Sequence, residues 1–289
     1  MGCGSFTTSA YACYNSSLGR EYDTTTLRAS VKSVQEAYKQ TRLHPSLNPK
    51  GVIRECVNNE EHPNTIPVIL ALDVTGSMGN ACKEVAEALG VIMVDLYKKF
   101  KDIEICIMGI GDLAYDDAPI QISQFESDIR IAEALDKVWM EHGGGGNTYE
   151  SYTAAWYMAL RHTKLDCHKQ GRKGIIITMG DEALNPYLPQ RELEAVTGDS
   201  LQDDVETPDL YEEVSKKFDI FHIAVDDKSS SYKYHADSIN FTFGDLLKDR
   251  LKISSINNLS QTICDCVSES IQGTPVSSET TVTSEGISW

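Results

Sequence analysis

Three oxygen-bearing side chains recur at alternate positions in the segment Asp73-Val74-Thr75-Gly76-Ser77. One carboxylate and two hydroxyls are hard donors, matched to Mg²⁺ or Mn²⁺ ahead of Ca²⁺ and poorly matched to zinc or copper. Gly76 gives the turn the backbone freedom to curl all three toward one point. The same residue types also suit an ordinary strand-to-helix turn, with Thr75 or Ser77 capping the next helix.

The elements around this segment favour the first reading. Before it runs Ile66-Pro67-Val68-Ile69-Leu70-Ala71-Leu72, an apolar stretch that reads as a strand buried on both faces. A helix over 80–99 follows, with Val85, Leu89, Ile92, Met93 and Leu96 on one face. Further strands are expected at 103–110, 120–125 (an alternating edge strand), 174–179, 219–225 and 251–253. Helices are expected at 128–141, 149–162, 209–218 and 258–271, with one short helix within 228–250. Such alternation predicts an α/β fold: a Rossmann-like open, mainly parallel sheet, one antiparallel edge strand and helices on both faces. Sheets of this kind bind ligands beyond the carboxyl ends of their strands. Asp73, Asp112, Asp181 and Asp226 each fall just past a predicted strand end.

The main domain is expected over 65–272. Residues 1–64 read as an extension packed against it, with one helix over 25–41 and a short strand at 52–56. Residues 273–289, rich in Ser, Thr and Glu, read as a disordered tail. Acidic residues outnumber basic ones 43 to 26, a formal charge of −17. That excess argues against a general nucleic-acid or anionic-membrane binder, which needs clustered Lys and Arg. No apolar stretch approaches the roughly 20 residues of a membrane span, and the first residues lack a secretory pattern. Phe6 stands where a myristoylation motif after Gly2 wants Ser or Thr. The eight cysteines show no paired CxxC spacing, so reduced thiols in a cytoplasmic protein are expected.

Two more segments join the first at the predicted edge: Thr148 after the run Gly143 to Gly146, and Asp181 after the fourth strand. Together they resemble the metal-ion-dependent adhesion site of the von Willebrand factor A domain family, over residues 67–271. The resemblance implies that Thr75 and Ser77 ligate the metal directly, with Asp73 acting through water. Thr148 would supply a third hydroxyl, and Asp181 would hold a metal-bound water. Two departures stand out. Thr75 replaces the family's first Ser, keeping a hydroxyl. The family's Thr-Asp-Gly reads Thr178-Met179-Gly180-Asp181-Glu182, so Asp181 or Glu182 could take the acidic role. Asp112 either touches the site or caps a helix. His62 and His142 are left out, because a lone histidine is more often a surface or satisfied core residue than a ligand.

For function, the resemblance implies a module that captures an acidic side chain of a protein partner through Mg²⁺ or Mn²⁺. Intracellular prokaryotic members of the family often work beside AAA+ ATPases, and many other small members belong to phage or bacterial-defence gene neighbourhoods. A different class is metal-assisted hydrolysis, with Glu182 or Asp112 as base. A third is an assembly subunit with a vestigial metal site.

Overall fold

The computed structural model describes residues 4–141 and 149–273. At its centre are six strands: β1 (Ile66–Asp73), β2 (Ile103–Ile110), β3 (Ile120–Ile122), β4 (Gly174–Gly180), β5 (Phe218–Val225) and β6 (Leu251–Ser254). Their spatial order is β6-β5-β4-β1-β2-β3. Neighbours are parallel except β2 and β3. The reversal has a simple cause. The link from Ile110 to Ile120 is shorter than the dozen or so residues a parallel crossover needs.

Seven helices matter here: α1 (Thr8–Ser17), α2 (Gly79–Lys99), α3 (Arg130–Leu135), α4 (Thr153–Arg161), α5 (Thr207–Val214), α6 (Tyr232–Leu247) and α7 (Leu259–Gly273). Alternation along β1 divides the core between the two sheet faces. Val68, Leu70 and Leu72 pack with the predicted α2 stripe and with Leu259, Ile263 and Val267 of α7. Ile69 and Ala71 point the other way, toward Trp156 of α4, Leu210 and Val214 of α5, and Ile239 and Phe243 of α6. Burying each such side chain contributes roughly 1.5–3 kcal/mol. The protein is therefore α/β, with a mostly parallel sheet covered by helices on both sides.

The N-terminal segment lies against α2. Tyr11 and Tyr38 donate their hydroxyls to the carbonyls of Ala86 and Cys82, and Arg28 forks onto the Glu84 carboxylate. Arg20, nearly buried, pairs with Asp136 at 3.0 Å. The helix expected over 25–41 is not formed. Asp23 accepts the backbone N–H groups of Thr25 and Thr26, which turns the chain into a hairpin of Tyr22–Asp23 with Arg28–Ala29. Such side-chain bonds compete with helix. Only Val34–Ala37, capped by Ser33, is helical there.

Other boundaries also move. The helix expected at 128–141 covers only Arg130–Leu135, and α5 starts two residues earlier than expected and ends at Val214. Residues 149–162 divide into a short strand, Tyr149–Glu150, and then α4. The 228–250 region holds the long α6, and an unexpected helix forms at Gln190–Thr197. Among the described residues no helix is long and apolar enough to cross a membrane, and the seven described cysteines form no disulfide. Residues 274–289 lie outside the described residues.

Gly90 on α2 marks the closest approach of the N-terminal segment. A Cβ there would run into the Leu27 carbonyl oxygen and come to 3.0 Å from the Tyr11 ring. Gly→Ala in an unhindered helix gains about 1 kcal/mol. We expect Gly90→Ala instead to lose about 1–2 kcal/mol in urea unfolding, because backbone cannot yield cheaply. Gly244→Ala in α6, where a Cβ meets nothing within 4 Å, should be neutral or stabilising.

Candidate metal centre at the carboxyl edge of the sheet

Because β1 and β4 are adjacent and parallel, their carboxyl ends deliver Asp73 and Asp181 to one edge. Asp73 ends β1 and Asp181 follows β4; both are fully buried. Past β1 the chain turns at Thr75 into the 3₁₀ turn Gly76–Met78 and then α2. Neither Thr75 nor Ser77 caps that helix with its side chain, so the ordinary capping role is not the one they fill. Thr75 instead donates its N–H, at 2.9 Å, and its hydroxyl to Asp73 Oδ1. Ser77 donates its hydroxyl to Asp181 Oδ1 at 3.1 Å. Each hydroxyl keeps lone pairs after donating its proton. Asp73, Thr75, Ser77 and Asp181 thus meet at one edge, while Thr148 and the preceding glycines lie outside the described residues.

Behind the edge stands a support that the sequence did not reveal. Tyr152 donates its hydroxyl to Asp73 Oδ2 at 2.7 Å. Its ring lies edge-on to His222 at 5.0 Å, and His222 stacks on Phe243 at 3.8 Å. Burial drives the His222 pKa down to about 3, so the ring is neutral, with Nδ1 2.8 Å from the Thr178 hydroxyl. Gly180 makes room: a Cβ there would run into the Tyr152 hydroxyl. On the other flank, the backbone N–H of Ser231 holds Asp181 Oδ2.

The remaining acids sharpen the electrostatics. Glu182 is pushed up to about 7, first by burial and then by Asp181 and Asp112. Asp112 is buried in its own turn, where its Oδ1 accepts the Ala114 N–H at 2.8 Å. Glu150 was also missed. It is buried, its Oε2 has no hydrogen-bond partner among the described residues, and burial followed by Asp73 and Glu182 raises its pKa strongly. The Asp73 carboxyl rises toward about 7, through burial first and Asp181 second. Asp181 is raised by burial too, with His235 acting in the opposite direction.

A spacing signal for the missed residues did exist. Thr148, Glu150 and Tyr152 alternate as Asp73, Thr75 and Ser77 do. Tyr149–Glu150 adopts strand geometry because it pairs with Ala183–Leu184, directly after Glu182. His62 lies at the opposite end of the sheet, bonded to the Gly4 carbonyl and 3.6 Å from Asp102.

These residues fit a divalent cation on two observations: carboxylates buried together against their own repulsion, and an orphaned buried carboxylate oxygen on Glu150. Among the described residues no group of three or more His, Cys, Asp or Glu side chains could hold a metal ion. A cation here would rest mainly on hydroxyl oxygens and water, as hard Mg²⁺ accepts.

No family model matches the chain, and no curated protein matches it. Among solved structures, the pilus adhesin SpaC from Lactobacillus rhamnosus GG, in its open conformation, is similar with a TM-score of 0.50 at 11% identity. The match covers 78% of this chain and 31% of the adhesin. A second structure of that adhesin gives a TM-score of 0.48 at 11% identity, over 78% and 32% of the two chains. The chain spans about a third of the adhesin's length, and a likeness at this identity concerns the α/β fold alone.

The raised carboxyls imply a pH dependence of stability. A carboxyl with an elevated folded pKa keeps a proton that the unfolded chain has released. Stability therefore falls as pH rises from the ordinary 3.8 toward about 7. In EDTA, urea unfolding should show wild type less stable at pH 8 than at pH 6, by on the order of 1 kcal/mol. Asp73→Asn, which keeps the side chain's shape, should reduce that difference and leave the share carried by Glu182. An unchanged pH dependence in Asp73→Asn would exclude Asp73 as its source.

Proposed function

We propose that residues 65–272 form a von Willebrand factor A-type domain with a metal-ion-dependent adhesion site. In this reading the chain is a metal-dependent protein-binding module. Numbered along the chain, the strand order 3-2-1-4-5-6 supports the Rossmann-like form of that fold. The observation that carries the reading is the bond from Ser77 to Asp181. It joins the turn after β1 to the end of β4, beside the Asp73–Thr75 pair.

Thr75 and Ser77 would hold the cation, with Thr148 as a third hydroxyl. Asp73 and Asp181 would balance its charge and orient its waters. Once bound, Mg²⁺ or Mn²⁺ would supply an open coordination position that accepts a carboxylate oxygen of an Asp or Glu on a protein partner. Asp73 and Asp181 cannot readily fill that position. Asp73 is committed to Thr75 and Tyr152, and Asp181 to Ser77 and Ser231. Following the family resemblance, the partner is an AAA+ ATPase and the setting cytoplasmic.

A hydrolytic reading is favoured by one observation: Glu182, with its pKa pushed up to about 7, is poised to exchange a proton beside Asp181. Turnover of phosphate or ester substrates with Mn²⁺ that disappears in Glu182→Gln would establish it.

The binding reading is tested by titrating Mn²⁺ into wild type, Ser77→Ala and Asp181→Asn, then adding a peptide with one Glu side chain. We expect Mn²⁺ affinity to fall about 10–100-fold in the variants. The peptide should bind only with metal present. Equal Mn²⁺ affinity in all three proteins would overturn the ligand assignment, and peptide binding unchanged in EDTA would overturn the bridge.

A further inference from the structure

At the far edge of the sheet, the turn Pro45–Leu47, the short strand Arg54–Cys56, the end of β3 and one face of α3 enclose a cleft of about 190 Å³. Arg54 lines it from the strand wall, Arg130 from α3 and Lys137 from the turn just after it. Of the acids in the wall, Glu126 is held and Glu133 is only loosely approached. Glu126 lies 3.0 Å from Arg130, which also pairs with Asp128, and Glu133 lies 4.0 Å from Lys137.

Arg54 differs from these neighbours. Its Nη2 donates to the carbonyls of Ser46 and Ile122, both at 2.8 Å. Its Nε is buried without a hydrogen-bond partner among the described residues. Among the described residues no carboxylate comes within ion-pair distance of it, although acids outnumber bases 43 to 26 along the chain. Burial lowers its pKa, with Cys106 acting in the opposite direction. A half-buried guanidinium whose Nη2 is spent on two carbonyls keeps its Nη1 donors unused, and a charged donor of this kind suits an oxyanion oxygen. Water could occupy the cleft, but it brings no charge to balance the cation.

We propose that this cleft is an anion site that takes a phosphate group, with Arg54 as its central donor and Lys137 as the opposing charge. Two cationic groups on different walls suit a doubly charged phosphate better than a single carboxylate. The group arrives either as free phosphate or as the monoester of a small molecule. Occupancy would close the contact between the N-terminal segment and the α3 face, since Ser46, Arg54 and Lys137 would share one ligand.

Calorimetric titration in EDTA, which keeps divalent ions out of the opposite edge, tests the proposal. The probes are inorganic phosphate, glycerol phosphate and acetate. Saturable phosphate binding is expected, weaker by about tenfold or more in Arg54→Gln and Lys137→Gln, since each charged donor is worth that much. Acetate should bind more weakly than phosphate. Tighter binding of glycerol phosphate would point to a phosphorylated small molecule, and tighter binding of inorganic phosphate to the free ion. No saturable binding by wild type, equal affinity for acetate, or unchanged affinity in a folded Arg54→Gln would overturn the proposal. Should Arg54→Gln fail to fold, Lys137→Gln decides alone, and an unchanged affinity there overturns it as well.

Discussion

Two carboxylates lie buried at the ends of adjacent parallel strands, and their mutual repulsion is the constraint around which this edge is organised. Asp73 and Asp181 arrive there because β1 and β4 are neighbours, and both are removed from water. Buried like charges raise each other's proton affinity or draw in a counter-charge. The chain supplies hydroxyl and backbone donors from Thr75, Ser77, Tyr152 and Ser231, which soften the repulsion without cancelling it. Glu182 sits in the same field without relieving it, and burial with Asp73 and Glu182 beside it keeps the Glu150 carboxyl protonated. In the proposed reading, a divalent cation relieves that field while leaving the hydrogen bonds in place.

The packing behind the edge makes the constraint durable. Tyr152 holds Asp73, neutral His222 and Phe243 back the Tyr152 ring, and Gly180 leaves the space the hydroxyl needs. These groups come from α4, β4, β5 and α6. Displacing any one would shift the Asp73 carboxylate by way of the tyrosine. A site set on strand ends and packed from behind by aromatics is rigid, as ligand selection requires.

Much of this was legible in the sequence, for definable reasons. Strands buried on both faces write themselves as apolar runs, so β1, β2, β4 and β5 were found nearly to the residue. The acids past their ends marked the edge. What escaped depends on tertiary contact. Tyr149–Glu150 continues smoothly into a helical pattern and becomes strand only by pairing with Ala183–Leu184, which concealed Glu150 and Tyr152. In α6 only Ile239, Phe243 and Leu247 are buried, four residues apart, while Tyr234 and Phe241 face solvent and blur the stripe. The segment 25–41 was read as helix because nothing in its composition shows Asp23 capturing the backbone of Thr25 and Thr26. Thr148 lies outside the described residues, so its place in the cluster rests on the family resemblance.

The most direct measurement is thermal unfolding in EDTA and then in Mg²⁺ or Mn²⁺, for wild type beside Asp73→Ala. At about 100 times the dissociation constant, a cation bound only to the folded state adds roughly 2.7 kcal/mol. A metal-dependent rise in Tm for wild type, absent in Asp73→Ala, is the expected result. No rise in either protein, or the same rise in both, would contradict a cation held at this edge.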